Sequence, residues 1–327
     1  MKSLADTHRI GLGCMNLSHA YGARPSEAES IALLNEALDL GYDHLDTAAL
    51  YGFGANESLL NKAVMKRRNE FYLASKCGMF RDESGQRTID GRPEVIKQTC
   101  DDALQRLGTE VIDLYYLHRW DKKVPIEESV GTLGDLVKAG KIRHLGLSEV
   151  SADTLRKAHA EHPITAVQTE YSLWSRNAEI AVLDACDELG VSFVAFSPLA
   201  RGYLSGELTD LNQLPEKDIR RNMPRFSAEN YPRNLRLLEP VKALAAELNV
   251  TPAQLTLAWV LHQRPGMIAI PGTTNRQHLR DNFAARDIVL NKDALDLLDR
   301  TINRHTVAGP RYPDGTLVEI DTEDFVD

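Results

Sequence analysis

The chain has 327 residues, 43% hydrophobic and 26% charged, which is the balance of a soluble globular protein with enough material for a substantial core. A formal net charge of −9 argues against a general nucleic-acid or anionic-membrane surface, though a local pocket could still hold an anionic cofactor. Cys14, Cys77, Cys100 and Cys186 are scattered without CxxC or zinc spacing, the start MKSLADTHRIGLG has no apolar signal core, and no apolar run is long enough to span a bilayer. The expectation is therefore a cytoplasmic protein with reduced thiols and no membrane or nucleic-acid partner.

Short β-rich runs alternate with helical runs along the chain. Arg9–Cys14 opens with a short apolar strand, Ser26–Leu40 has helical apolar spacing closed by Gly41, His44–Thr47 is a strand and Glu57–Met65 a helix. Phe71–Lys76 is the third strand; Pro93–Leu107 is a helix with proline at its start and Gly108 at its end; Val111–His118 is the fourth strand and Ile126–Ala139 the fourth helix. Ile142–Ser148, Ala166–Tyr171 and the continuously apolar Val191–Ser197 continue as strands, with helices at Ser151–Ala160 and Asn177–Leu189 between them. Pro252–Leu261 reads as the helix before strand Met267–Pro271, Asn275–Ala284 as the eighth helix, and Asn291–Ile302 as an additional helix outside the repeat. Ala200–Tyr231 and His305–Asp327 read as long irregular loops covering the ligand end.

Eight β-then-α units predict an α/β fold, a closed (β/α)₈ TIM barrel, within a single domain over residues 1–327. The rival is an open doubly wound sheet, but GLGCMN lacks the third glycine of a dinucleotide fingerprint. On a barrel, strand C-termini converge on one face, which gathers Asp46, Lys76 and His118, with Tyr51 in the loop after Asp46. Taken singly, Asp46 could cap the next segment, Tyr51 could be a rim aromatic, Lys76 a solvated strand end and His118 a satisfied buried histidine.

Taken together they form an acid–base set. A phenol of pKa about 10 is a poor proton shuttle at neutrality, and a neighbouring ammonium lowers that value. Lys76 supplies the ammonium, Asp46 fixes it, Tyr51 exchanges a proton with a carbonyl or alcohol oxygen, and His118 orients that oxygen. A hydride source is also needed; with no metal constellation or flavin-type glycine pattern, a nicotinamide cofactor is the natural candidate. Met15, Phe53, Met79 and Trp120 are expected to wall the substrate pocket beside Tyr51, with Tyr312 as a lid, favouring uncharged carbonyls over keto acids. Arg119, beside His118, is expected to be held by Asp121 or Asp82, and the pair His159 and His162 to interact with a helix terminus rather than a metal.

The stretches LDTAALYGFGANE, YLASKCG, IDLYYLHRWD, GKIRHLGLSEV, AVQTEYSLWSR, AFSPLARGYLSG and IPGTTNRQHLRDN resemble the aldo-keto reductase superfamily in order and spacing over essentially the whole chain. HRWDKKVPIEESVG and GLSEVS are most similar to the bacterial and fungal branch acting on varied aldehydes and ketones. The resemblance implies an NADP(H)-dependent oxidoreductase with the tetrad Asp46, Tyr51, Lys76 and His118. It implies that Ser148 and Gln168 bind the nicotinamide carboxamide and that the ring stacks on Phe196, with Gly13, Met15, Asp46 and Ile270 nearby. It implies Ser197, Pro198, Leu199, Gly202 and Leu204 along the pyrophosphate, and Gly272, Thr273, Thr274, Arg276, His278, Asp281 and Asn282 around the adenosine and its 2′-phosphate. Helix-terminus electrostatics at the start of the eighth helix suit an anion. Two positions depart from the pattern: Glu149 stands where the family often has Asn, and GTTNRQH offers Arg276 and His278 as the strong 2′-phosphate candidates, so NADP(H) is favoured over NAD(H). Two alternatives share these residues: a cofactor-binding regulatory subunit like the potassium-channel β-subunits, and a Schiff-base lyase using Lys76. The oligomeric state is open.

Overall fold

Eight parallel strands run in one rotational direction around a ring, each feeding a helix that packs outside it. The structure, a computed structural model, describes residues 3–18, 20–22, 24–81 and 85–325. The strands are β1 (Leu12–Gly13), β2 (His44–Asp46), β3 (Tyr72–Cys77), β4 (Met79–Arg81), β5 (Arg87–Ile89), β6 (Ile112–Leu117), β7 (Ile142–Ser148), β8 (Ala166–Glu170), β9 (Ser192–Phe196) and β10 (Ile268–Ala269). The main sheet has the order β1-β2-β3-β6-β7-β8-β9-β10, every pair parallel. A parallel bridge between Ile10 and Ala269 closes it, with Gly11 N donating to Ala269 O at 2.9 Å and Gly13 N to Pro271 O at 3.2 Å. The fold is the (β/α)₈ barrel expected.

The helices are α1 (Glu27–Leu40), α2 (Ala55–Val64), α3 (Pro93–Leu107), α4 (Ile126–Lys138), α5 (Ala152–Glu161), α6 (Val182–Leu189), α7 (Asn230–Arg236), α8 (Leu238–Glu247), α9 (Pro252–His262), α10 (Arg276–Ala284), α11 (Lys292–Thr301) and α12 (Asp314–Leu317). α1 starts on a Ser26–Glu29 capping box and stops at left-handed Gly41, the two signals that delimit it in the sequence. Among the described residues no helix is long and apolar enough to cross a membrane.

Three features differ from the sequence expectation. The antiparallel hairpin β4–β5 lies between β3 and α3, where no strands were expected. Helices α7 and α8 fall at the end of, and beyond, the stretch read as irregular; Pro232 and Pro240 sit in their first turns, where a missing N–H costs no helical bond, yet in the sequence they look like breakers. The expected helix at 177–189 is a 3₁₀ turn, Asn177–Glu179, followed by α6.

Alternate residues of the strands fill the ring. Tyr72, Ala74, Leu114, Tyr116, Ala166, Val194, Ile268 and Ile270 form an interior cluster with Leu4 packed against it, separate from the larger core between sheet and helices. Two residues further along their strands come Lys76, His118, Gln168 and Phe196, and the neighbouring strands β2 and β7 end on Asp46 and Ser148, so the register that packs the ring also delivers these side chains to one mouth.

The ring is tight at Gly146, where a Cβ would lie 2.5 Å from the Tyr116 ring and 2.8 Å from Ala166 O. Gly146→Ala is therefore expected to lower stability by about 1–3 kcal/mol through overpacking. Gly315→Ala, where nothing lies within 4 Å, is expected to stay within about 0.5 kcal/mol of wild type. Urea and thermal unfolding followed by circular dichroism check both.

Candidate active site

The loop from β2 to α2 places Tyr51. Gly52, Phe53 and Gly54 all have positive φ (58°, 53° and 90°), which curls the backbone back over the barrel mouth. Asn56 fixes the curl: it accepts from Thr47 Oγ1 at 2.6 Å and donates Nδ2 to Cys14 O at 2.8 Å and Ser18 Oγ at 2.9 Å. Glu57, fully buried, receives Ser75 Oγ at 2.6 Å and Arg106 Nε at 2.7 Å. Neither Asn56 nor Glu57 is among the sequence candidates; their signal is a polar pair opening a helix whose remaining inward face is apolar.

Lys76 is fully buried and its Nζ donates to Asp46 Oδ1, to Thr47 O at 2.8 Å and to the Tyr51 hydroxyl at 3.4 Å. The second oxygen of Asp46 accepts Gln168 Nε2 at 2.8 Å, so the carboxylate is held from both sides. His118 meets the Tyr51 ring edge to face, with centroids 5.9 Å apart. The structure thus brings all four members of the expected tetrad to one point. Burial alone would lower the Lys76 ammonium, but Asp46 and Tyr51 outweigh it and hold the group above its ordinary value. For Tyr51 burial dominates: it raises the phenol, and Lys76 opposes without reversing the shift. The expected net lowering of the tyrosine is therefore corrected, because in this dry site desolvation of a phenolate outweighs one adjacent ammonium.

A cavity of about 930 Å³ runs from Tyr51 and His118 to the first turns of α10. It is lined by Gly13, Met15, Asp46, Ser148, Gln168, Phe196, Ser197, Pro198, Leu199, Gly202, Ile270, Gly272, Thr274, His278, Asp281 and Asn282, and also by Met79 and Tyr312. Ser197, Ala200, Arg201 and Gly202 all have positive φ, a kinked backbone of the kind found at ligand clamps and anion-binding turns. A ring-faced wall at one end and a kinked loop facing a helix start at the other suit a dinucleotide.

Several expected positions lie elsewhere. Leu204 is buried in the outer core and Thr273 accepts Asn275 N at 3.0 Å, both off the cavity wall. Asn275 caps α10 and takes the amides of Gln277 and His278, so these two donors are already used. Arg276 is exposed and shares Glu36 with Arg280, leaving two guanidiniums against one carboxylate. Phe53 turns outward, with the Arg81 guanidinium 3.8 Å from its ring centroid, and Trp120 donates Nε1 to Val124 O at 2.7 Å; neither lines the cavity. The apolar wall is instead Met15, Leu50 and Met79, and Arg87, Arg119, Arg201 and Arg220 are guanidiniums the sequence reading did not place there. Asp121, an expected partner of Arg119, is taken up by the amides of Gly91, Lys123 and Val124; Asp82 lies outside the described residues.

Glu149 does not face the cavity. It pairs with Arg311, accepts Thr322 Oγ1 at 2.8 Å and Glu170 N at 3.0 Å, and its own carbonyl receives the amides of Asp321 and Thr322. Glu170 receives Arg201 Nη2 at 2.8 Å, Tyr312 OH at 2.7 Å and Ser175 Oγ at 2.7 Å. This buried network fastens the C-terminal segment, and Tyr312 with it, over the mouth.

The aldo/keto reductase family model matches residues 9–303. The NADP(+) aldo-keto reductase yakc of Schizosaccharomyces pombe is 41% identical over 94% of this chain and 92% of its own length. Among solved structures, the glycerol dehydrogenase of Gluconobacter oxydans superposes with a TM-score of 0.83 at 28% identity, covering 94% of each chain. An aldo-keto reductase from Klebsiella pneumoniae in complex with NADPH gives 0.71 at 27% identity, covering 93% of this chain and 92% of that one.

Burial alone would raise Glu170; Arg201 and Arg311, with the Tyr312 and Ser175 hydroxyls, outweigh it and hold the carboxyl down at about 2. The stabilisation is thus present above the ordinary value near 4.5 and lost as pH falls toward 2. Glu170→Gln is expected to lower the thermal midpoint at pH 7 by an amount equivalent to about 3–5 kcal/mol. The gap to wild type should close as pH is lowered from 4.5; a gap independent of pH in thermal scans would refute the ionic role.

Proposed function

The chain belongs to the aldo/keto reductase family and is an oxidoreductase, and we propose that it interconverts an aldehyde or ketone with its alcohol using NADP(H), Tyr51 serving as the acid–base group. The observation that carries this is the Lys76–Tyr51 contact, backed by Asp46, at the end of a cavity that continues to the start of α10. Support for the cofactor comes from the NADP(+) named for the yeast relative and the NADPH bound to the Klebsiella enzyme.

NADP(H), when bound, supplies or accepts the hydride. Phe196 would face its ring, Ser148 and Gln168 would bind the carboxamide, the loop from Ser197 to Gly202 would follow the pyrophosphate, and Thr274, His278, Asp281 and Asn282 would flank the adenosine. Asp281 and Asn282 would lie toward the base, while Arg276, with its incompletely neutralised charge beside Arg280, would draw in the 2′-phosphate. In reduction, Tyr51 gives its phenolic proton to the carbonyl oxygen, and the phenolate left behind is stabilised by Lys76. His118 orients the oxygen by hydrogen bonding. The burial that raises the phenol keeps it protonated throughout the neutral range, which suits the acid needed for reduction. The raised Lys76 ammonium argues against the Schiff-base alternative, since an imine-forming amine must be neutral and accessible. The chain would work as one barrel domain.

Tyr51→Phe is expected to cut kcat across an aldehyde and ketone panel by about 10²–10⁴-fold, while NADPH binding, followed by fluorescence, changes little; full turnover would remove Tyr51 from the chemistry. Arg276→Ala should weaken NADPH by about tenfold more than NADH, the size of one charge-assisted contact. Equal weakening of the two cofactors would clear Arg276 of phosphate recognition.

A further inference from the structure

Four guanidiniums line the cavity: Arg87, Arg119, Arg201 and Arg220. Three are answered by carboxylates, Arg87 by Glu319, Arg201 by Glu170 and Arg220 by Asp218. Arg119 is answered by none among the described residues. Its bonds both leave from Nη1 and both end on neutral oxygens, His118 O at 2.7 Å and Ser148 Oγ at 3.2 Å. These two bonds fix the guanidinium beside the reacting group, half-buried, with the N–H groups of Nε and Nη2 lacking any described acceptor. The carboxylates on the cavity wall do not compensate it: Asp46 is bound to Lys76, Glu319 to Arg87, Glu207 to His278, and Asp281 accepts from Gln277.

A cation partly withdrawn from water, held by two hydrogen bonds and without a carboxylate among the described residues, is costly unless a ligand anion completes it. A planar guanidinium with two adjacent donors matches a carboxylate. A dianionic phosphate would call for a second unpaired cation, and the other three guanidiniums are committed. Met15, Leu50 and Met79 supply an apolar surface for the body of such a substrate.

We propose that Arg119 binds a carboxylate on the substrate, so that this enzyme acts preferentially on oxo acids, its reacting carbonyl oxygen lying on Tyr51 and His118 while the acid group lies on Arg119. The inference rests on the carbonyl-reductase reading and reverses the expectation of an uncharged substrate, which was drawn from Met15, Phe53, Met79 and Trp120 with Tyr312; Met15, Met79 and Tyr312 line the cavity, but Phe53 and Trp120 turn away from it and Arg119 stands on its wall.

The test compares benzaldehyde with 2-, 3- and 4-carboxybenzaldehyde on the NADPH-loaded wild type, Arg119→Met and Arg119→Lys. Expected for the wild type is a kcat/KM at least about tenfold higher for one of the acids than for benzaldehyde, the scale of one hydrogen-bonded charge pair. Arg119→Met should abolish that preference mainly through KM, its loss on benzaldehyde being about tenfold smaller, and Arg119→Lys should restore part of it. No preference for any isomer, or equal losses on acid and neutral aldehyde (the result if Arg119 only orients Ser148), would overturn the proposal. Calorimetry of the corresponding carboxybenzyl alcohols against benzyl alcohol, in the NADP(+)-loaded protein, reads the same contact without turnover. If no aldehyde is reduced, the carbonyl-reductase reading fails by itself, and tighter, Arg119-dependent binding of the acid still decides the role of Arg119.

Discussion

A lysine ammonium with no exposure to solvent, at the mouth of an α/β barrel, sets the terms for everything around it. Withdrawing such an ion from water costs several kcal/mol, and the cost is offset only where the partner geometry is good and the remaining donors are satisfied. Lys76 meets both conditions, with Asp46, the Thr47 carbonyl and the Tyr51 hydroxyl on its three N–H groups. Asp46 is in turn held by Gln168, from a strand on the other side of the ring. The pair therefore ties β2, β3 and β8 to the loop that carries Tyr51, and the phenol is located by the same contacts that neutralise the buried charge. The same dryness raises the phenol, so Lys76 acts less by making Tyr51 acidic at rest than by stabilising the phenolate once the proton has left.

A second buried charge network does for the mouth what the first does for the reacting group. Glu149 and Glu170 end two neighbouring strands, and Arg201 and Arg311 reach them from the loop after β9 and from the C-terminal segment. Glu149 sits where the family often carries Asn, and its left-handed backbone (φ 57°) turns the side chain away from the cavity toward Arg311 and Thr322. The departure is thus a fastening for the tail. Asp321 and Glu323 accept the first amides of α5, adding the helix-start preference for acids to the same attachment.

The residues legible in the sequence are those whose direction follows from strand position. Asp46, Lys76 and His118 end parallel strands, and Gly41 and Gly108 end helices, so chain order alone orients them. Phe53 and Trp120 were misplaced because they sit in loops: the first is turned by a left-handed backbone, the second by a bond from its indole to Val124 O. Arg201 and Arg311 were unreadable for a different reason. Their partners lie 31 and 162 residues away, and only the closed ring brings them together. Helices α7 and α8 were hidden by prolines harmless in a first turn, and β1 and β10 are shorter than expected, the seam where the ring closes being carried by a bridge and by the amides of Gly11 and Gly13.

The two cations beside Tyr51 differ in what a substrate does to them. Lys76 is neutralised permanently by Asp46, whereas among the described residues Arg119 meets neutral oxygens, and its charge adds to that of Lys76 in favouring the phenolate. An acid group seated on Arg119 would cancel that contribution, so the phenol would hold its proton more firmly in the loaded site than in the empty one. A substrate that brings its own anion would then keep Tyr51 in the protonated form until the carbonyl oxygen becomes basic enough to take the proton. Recognition and acid strength would be set by the same guanidinium, which places the selectivity of the pocket one residue from the histidine that orients the reacting oxygen.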